Sequence, residues 1–200
     1  MAVLIKSHNN AFNPAHFIRS DQQIAALFCW PVNATLCDMT SLPTIREAKP
    51  NETEVLTGLA IRSKAYWGYS QSFMEACREE LTVTDKSLNS ADLHYYVAEG
   101  EKELLGYYAI EKLNDREFEL EALFVEPDFI GKGVGKALID HAKNLVRKLG
   151  GNRLIIQGDP NAEEFYRAAG GKPNGTRESA SIPGRKLPLF TVDLASNDVA

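Results

Sequence analysis

The run Gly131-Lys132-Gly133-Val134-Gly135-Lys136 is the stretch of this 200-residue chain best suited to hold an anion. It lies between an apolar segment, Phe118 to Val125, and a segment of helical period starting near Gly133. Glycine lets the main chain turn left-handed and lets a ligand come close to it. Exposed amides and the dipole at a helix start suit a pyrophosphate. A dinucleotide fingerprint needs the spacing G-x-G-x-x-G, and a P-loop needs G-K-S or G-K-T, so both are excluded. A tight strand-to-helix turn without a ligand is the alternative. Just before the loop, Glu119 and Glu121 alternate with Phe118, Leu120, Ala122 and Phe124. Strand geometry puts the two carboxylates on one face, about 6.5–7 Å apart, and makes the even-numbered face core. A carboxylate so placed is a candidate general base; a solvent-facing strand edge is the other reading.

Other chemistries have little support. His8, His16, His94 and His141 share no metal-ligand spacing, so no metal site is expected. Cys29, Cys37 and Cys77 are odd in number and far apart, which predicts reduced thiols in a cytoplasmic protein. No cysteine has the His and Asp partners that covalent catalysis asks for. With 22 basic against 27 acidic residues the formal charge is -5, which argues against a nucleic-acid partner. No apolar run approaches the ~18 residues of a membrane helix, so no membrane association is expected. Met1 to Ile5 lead into asparagines rather than an apolar signal stretch.

The elements that must carry the loop and the carboxylates follow from periodicity. Residues 1–40 show no sustained period and are expected to be an N-terminal extension; the domain is expected to fill 41–200. A short strand starts at Ile45. Pro50 to Glu52 open a helix with Val55, Leu56, Leu59 and Ala60 on its apolar face. Ser72 and Glu75 suggest a capping box for a second helix, Ser70 to Leu81. Leu93 to Ala98 and Leu104 to Ile110 form a hairpin turned at Gly100. Phe118 to Val125 is a strand, Gly133 to Leu149 a helix with the stripe Val134, Leu138, Ala142, Leu145 and Leu149, and Leu154 to Gln157 a strand parallel to the first. Asn161 is expected to cap a further helix with Glu164 three residues on. A last strand runs from Leu189 to Leu194. The order β-αα-β-β-β-α-β-α-β predicts a mixed sheet flanked by helices, an α/β or α+β domain.

Leu123-Phe124-Val125-Glu126-Pro127, the glycine run, and Ala137-Leu138 together resemble the acetyl-CoA motif of the GNAT N-acetyltransferases. Asn161-Ala162-Glu163-Glu164-Phe165-Tyr166 with Gly170 resembles the family's second block, and one helix and one strand separate the two. Ile61 to Ala76 and Ser181-Ile182-Pro183-Gly184-Arg185 look like the acceptor side of a bacterial-type subgroup. The resemblance covers roughly Thr44 to Leu194. Ile130 departs from it, because the family commonly carries Arg or Gln there; backbone amides would still hold the anion.

The resemblance implies a GNAT-like fold and direct transfer of acetyl from acetyl-CoA to an amine. Leu123, Phe124, Val125, Ile130, Gly131, Lys132, Gly133, Val134, Gly135, Lys136, Asn161 and Phe165 would contact the cofactor. Tyr166 would return a proton to the departing thiolate, and Glu119, with Glu121 next, would take one from the amine. On the acceptor side Trp67, Tyr69, Phe73, Ser181 and Arg185 would shape a pocket for a small-molecule or peptide amine. A homodimer stays open, as does the reading of a silent acetyl-CoA sensor or interaction module.

Overall fold

The computed structural model describes residues 43–194. The predicted extension, 1–40, lies outside the described residues. A seven-stranded sheet organises the domain, in the order β1-β2-β3-β4-β5-β7-β6. Its strands are β1 (Thr44–Glu47), β2 (Leu93–Glu99), β3 (Leu104–Lys112), β4 (Glu117–Val125), β5 (Arg153–Gln157), β6 (Lys172–Glu178) and β7 (Lys186–Asp193). The helices are α1 (Thr53–Ala65), α2 (Gln71–Ala76), α3 (Asp85–Leu88), α4 (Val134–Lys148) and α5 (Glu163–Ala168). The mixed α/β architecture agrees with the sequence-based expectation. β2 and β3 form the expected antiparallel hairpin. β4 and β5 run parallel, as a strand–helix–strand crossover requires.

Several local expectations are corrected. The second helix closes at Ala76 rather than Leu81, and Ser70, not Ser72, caps it by accepting from Phe73 N at 3.2 Å. Val55 is exposed; α1 buries Leu56, Leu59, Ala60, Ser63 and Lys64. On α4 the buried stripe is Val134, Leu138, Ile139, Ala142 and Val146, while Leu149 is exposed. Asn161 does not cap α5. Asp159 caps the preceding turn of 3-10 helix instead, accepting from Asn161 N at 3.0 Å. The short helix α3 and strand β6 are additional elements, and the last strand begins at Lys186.

The larger correction concerns β4. Ala109 pairs with Ala122, but Ile110 pairs with Leu120, so Glu121 is an extra residue at a bulge. Side-chain alternation therefore switches there. Phe118, Leu120, Leu123 and Val125 pack with α4, whereas Ala122 and Phe124 pack with α1. No single even-numbered face exists, and both faces of β4 are buried.

Candidate active site

The sheet opens where β4 and β5 part. Their pairing runs only from Glu117 opposite Arg153 to Leu120 opposite Ile156. β4 continues to Val125, while β5 ends at Gln157. The bulge at Glu121 thus falls at the apex of the opening, and the Glu121–Val125 edge of β4 has no strand against it on that side. Val125 N uses Ser63 Oγ on α1, at 3.2 Å, as its acceptor. Leu123, Phe124 and Val125 are buried here, Phe124 against the α1 layer and the other two against the α4 layer.

The glycine run caps this opening. A 3-10 turn at Pro127–Phe129 leads to Ile130, which packs on the α4-side core. Gly131 and Gly133 then take left-handed φ values of 81° and 86°. Gly133 is the N-cap of α4, and Ala137 N is the first amide bonded back, to Gly133 O at 3.0 Å. The first-turn amides have no carbonyl one turn earlier to pair with, so they are the natural anion donors. Val134 and Gly135 are buried. The flanking lysines point to local partners: Lys132 Nζ lies 5.2 Å from the Phe129 ring centroid, and Lys136 pairs with Asp140 at 2.6 Å. Glu126, just before the turn, accepts from Arg62 Nε and Nη2 at 2.7 and 2.9 Å, which ties the end of β4 to α1.

Tyr166 stands on the β5 side of the opening, fully buried on α5. Its ring packs edge-on to the half-buried Phe165 and beside Phe190, with centroids at 5.1 and 5.8 Å. Residue 158 follows β5 directly, and any Cβ there would meet the Tyr166 ring at 2.9 Å, so the close approach requires glycine. The hydroxyl has no hydrogen-bond partner among the described residues. Burial, and then the nearby Asp159 charge, push the phenol well above its ordinary value of 10. It therefore stays protonated at neutral pH.

Glu119 and Glu121 are both buried, which sets aside the alternative reading of a solvent-facing edge. Glu119 lies opposite the Phe118–Leu120 core face, on the α1 side, and accepts from Arg177 Nη1 of β6. Arg177 Nη1 also reaches Gln157 Oε1 at 3.3 Å. Burial raises the phenol of Tyr95, a residue of the α1-side layer, and the nearby charge of Glu121 adds to it. Both carboxylates thus share that side, Glu121 at the apex and Glu119 within the paired region.

A polar cluster lies on the same side. Lys64 and Asp159, both at 0% exposure, pair at 3.0 Å. Asp159 also accepts from Tyr69 Oη at 2.8 and 2.9 Å and from Asn161 Nδ2 at 3.0 Å. Burial works against its charge, yet Lys64 and the donors from Asn161, Tyr69 and Lys64 hold its carboxyl below the usual range. Tyr69 stacks on Phe73 at 4.2 Å, and Arg185 Nη2 donates to Tyr69 Oη at 2.8 Å. The structure thus brings together Tyr69, Phe73, Arg185 and Asn161. Ser181 is drawn away, donating to Glu80 Oε2. Trp67 meets Tyr66 edge-on at 5.3 Å, and its buried Nε1 has no partner among the described residues.

Sequence reasoning missed Lys64, Asp159, Glu80 and Arg177. Two left a signal. Asp159-Pro160 after a strand is a cap followed by N1 proline, and Lys64 falls four residues after Ala60 on the buried face of α1. Glu80 and Arg177 left none, since each acquires its role from a distant partner. Burial is the main cause that pushes the Glu80 carboxyl up to about 7, against the lowering effect of Lys64. Cys77 beside it is pushed up to about 12, mainly by burial, which suits an inert thiol.

Glu80 carries a signed prediction. A carboxyl raised in the folded state binds more protons there than in the unfolded chain, so stability falls as pH rises from about 4.5 to about 7. Glu80→Gln removes that loss. The variant should melt a few degrees above wild type at pH 8, a gain on the order of 2 kcal/mol, with the gain shrinking toward pH 5. Thermal unfolding at the two pH values is the check, and equal differences at both would refute the assignment.

A model of the acetyltransferase (GNAT) family matches residues 60–170. Peptidyl-lysine N-acetyltransferase YjaB of Salmonella typhimurium is 34% identical over 73 residues, 36% of this chain and 48% of that protein. YjaB of Escherichia coli is 33% identical over 73 residues, with the same shares, 36% and 48%. The chain thus spans about half the length of the curated relatives it matches. Among solved structures, a GCN5-related N-acetyltransferase from Rhodopseudomonas palustris has a TM-score of 0.63 at 21% identity, covering 76% of this chain and 96% of that one. The PaiA N-acetyltransferase of Thermoplasma acidophilum, solved with coenzyme A, has a TM-score of 0.61 at 22% identity, covering 75% and 98%. At these identities the likeness is one of fold. No helix among the described residues is long and apolar enough to cross a membrane.

Proposed function

Because this chain belongs to the acetyltransferase (GNAT) family, we propose that it moves acetyl from acetyl-CoA to an amine by direct attack. The observation that carries the reading is the β4 edge from Glu121 to Val125 that no strand covers on the β5 side, with the glycine-capped start of α4 near one end and the orphaned Tyr166 hydroxyl on the β5 side. Backbone amides and carbonyls on that edge suit the amide groups of a pantetheine arm, and the α4 amides suit the pyrophosphate. Acetyl-CoA supplies the reactive acetyl thioester. Leu123 to Val125, the 130–136 loop, Asn161 and Phe165 would hold it.

The chain's own groups then divide the proton work. Tyr166 keeps its proton in a water-poor pocket and offers it to the departing sulfur, whose ordinary pKa of about 8 to 9 makes it a fair acceptor. Glu119 or Glu121 takes the proton of the attacking amine. Glu121 stands at the apex, while Glu119 lies inside the paired region and accepts from Arg177 Nη1. The acceptor is a small-molecule or peptide amine entering from the α1 side, past Tyr69, Phe73 and Arg185.

Gly133→Val tests the cofactor half. A Cβ at residue 133 would meet nothing within 4 Å, so the change strains the left-handed backbone and the ligand approach without disturbing the core. Calorimetry should show acetyl-CoA affinity lowered at least about tenfold in a folded variant, the equivalent of about 1.4 kcal/mol. Unchanged affinity would remove the loop from the site.

A further inference from the structure

We infer that the acceptor amine also carries a carboxylate, which Arg185 receives beside the Tyr69–Phe73 stack; this deepens the acetyl-transfer reading and rests on it. The first observation is the saturation of Asp159. An ionised carboxylate has about four acceptor sites. Lys64 Nζ, Tyr69 Oη, Asn161 N and Asn161 Nδ2 take them, all within 3.0 Å. Arg185 Nη2 is left at 3.6 Å from that carboxylate and settles on the Tyr69 hydroxyl. Two cations, Lys64 and Arg185, thus share the single charge of Asp159.

The second observation is an orphan donor. Arg185 Nη1 is buried and has no hydrogen-bond partner among the described residues. A buried charged donor left unmade is costly, so the arrangement favours a ligand that brings an oxygen. Burial is layered as such a role requires: Lys64 and Asp159 are sealed, whereas the Arg185 side chain keeps 16% of its surface and Tyr69 and Phe73 are half-buried.

The third is the use of the aromatic faces. Lys64 Nζ lies 5.3 and 5.7 Å from the Tyr69 and Phe73 centroids, and the Arg185 guanidinium 5.3 and 4.8 Å from the same rings. The chain's own cations already occupy the stack, so a polycationic acceptor finds no cation–π seat there. Lys64 and Arg185 against Asp159 leave one positive charge while Glu80, its carboxyl pushed up to about 7 mainly by burial, keeps its proton, so below about pH 7 the cluster matches one carboxylate rather than a doubly charged phosphate. Cys77, Ser181, Lys64, Arg185 and Asp159 are the groups that face Glu80.

Thiol release should be measured with free amino acids and dipeptides, their C-terminal amides, polyamines and aminoglycosides. At least one carboxylate acceptor should exceed its own amide at least 10-fold in kcat/KM. Arg185→Gln should raise KM for that acceptor 10- to 100-fold and collapse its preference over the amide, with Arg185→Lys in between. Preference for amides, polyamines or aminoglycosides overturns the inference, as does a carboxylate preference that survives in R185Q. Acetyl-CoA binding with no turnover of any carboxylate acceptor overturns it too. If calorimetry shows no acetyl-CoA binding, the acetyl-transfer reading is what fails. Saturation-transfer NMR with the same carboxylates and amides then decides the Arg185 preference without CoA, equal signals counting against it.

Discussion

Tyr166→Phe should lower kcat at least about 10²-fold while acetyl-CoA affinity stays within about twofold. The hydroxyl has no partner among the described residues, so its removal breaks no internal hydrogen bond. A phenylalanine ring of the same shape fits between Gly158, Phe165 and Phe190 and leaves no polar atom to desolvate. The melting temperature should therefore hold or rise slightly. A structural tyrosine would behave oppositely, losing stability and keeping its rate per folded molecule. Activity against a confirmed acceptor, measured across pH beside thermal unfolding, separates the two. Wild-type turnover in a folded Y166F would leave thiolate protonation to solvent.

The other large effect is on stability. Lys64→Met should cost about 3–5 kcal/mol, because it strands Asp159 as a fully buried charge. For a domain of this size that lowers the melting temperature by roughly 10 °C. The pH dependence gives the cause. In wild type the folded Asp159 carboxyl lies below its ordinary value, so its contribution is present above about 4 and fades as pH falls further. Without Lys64 burial dominates and raises that carboxyl, so the penalty should be largest at neutral pH and relax on acidification. Adding Asp159→Asn to K64M removes the stranded charge and should recover much of the loss. Denaturant unfolding of the two single variants and the double variant at pH 5 and 8 checks the cycle, and simple additivity would show that the two residues act independently.

Part of this site was legible without coordinates. Strand period in Phe118–Val125 followed by alternating glycines and a helix stripe indicated a strand, an anion loop and a helix in series, and the observed β4 and α4 match within a residue. Those signals are local: glycine tolerance of positive φ and side-chain periodicity belong to a few consecutive residues. The role of Tyr166, and acetyl-CoA as the ligand of the loop, came from the resemblance to two family blocks.

Long-range pairing decided the rest. Glu121 became a bulge because β3 and β4 slip by one residue between Ala109 and Ile110, and a slip is a property of two strands, not one. Strand β6 was invisible because Lys172 to Glu178 carries proline, glycine and charge at an outer edge, where pairing to β7 alone suffices. The Lys64–Asp159 pair spans 95 residues and Arg185–Tyr69 116. Local sequence marks Lys64 and Asp159 one at a time, but nothing in either segment names its distant partner. Composition and short-range spacing thus determined the fold class and the place of the glycine loop. Tertiary packing alone determined which charges are buried and paired, since the cost of burying a charge is set by the partner that folding brings to it.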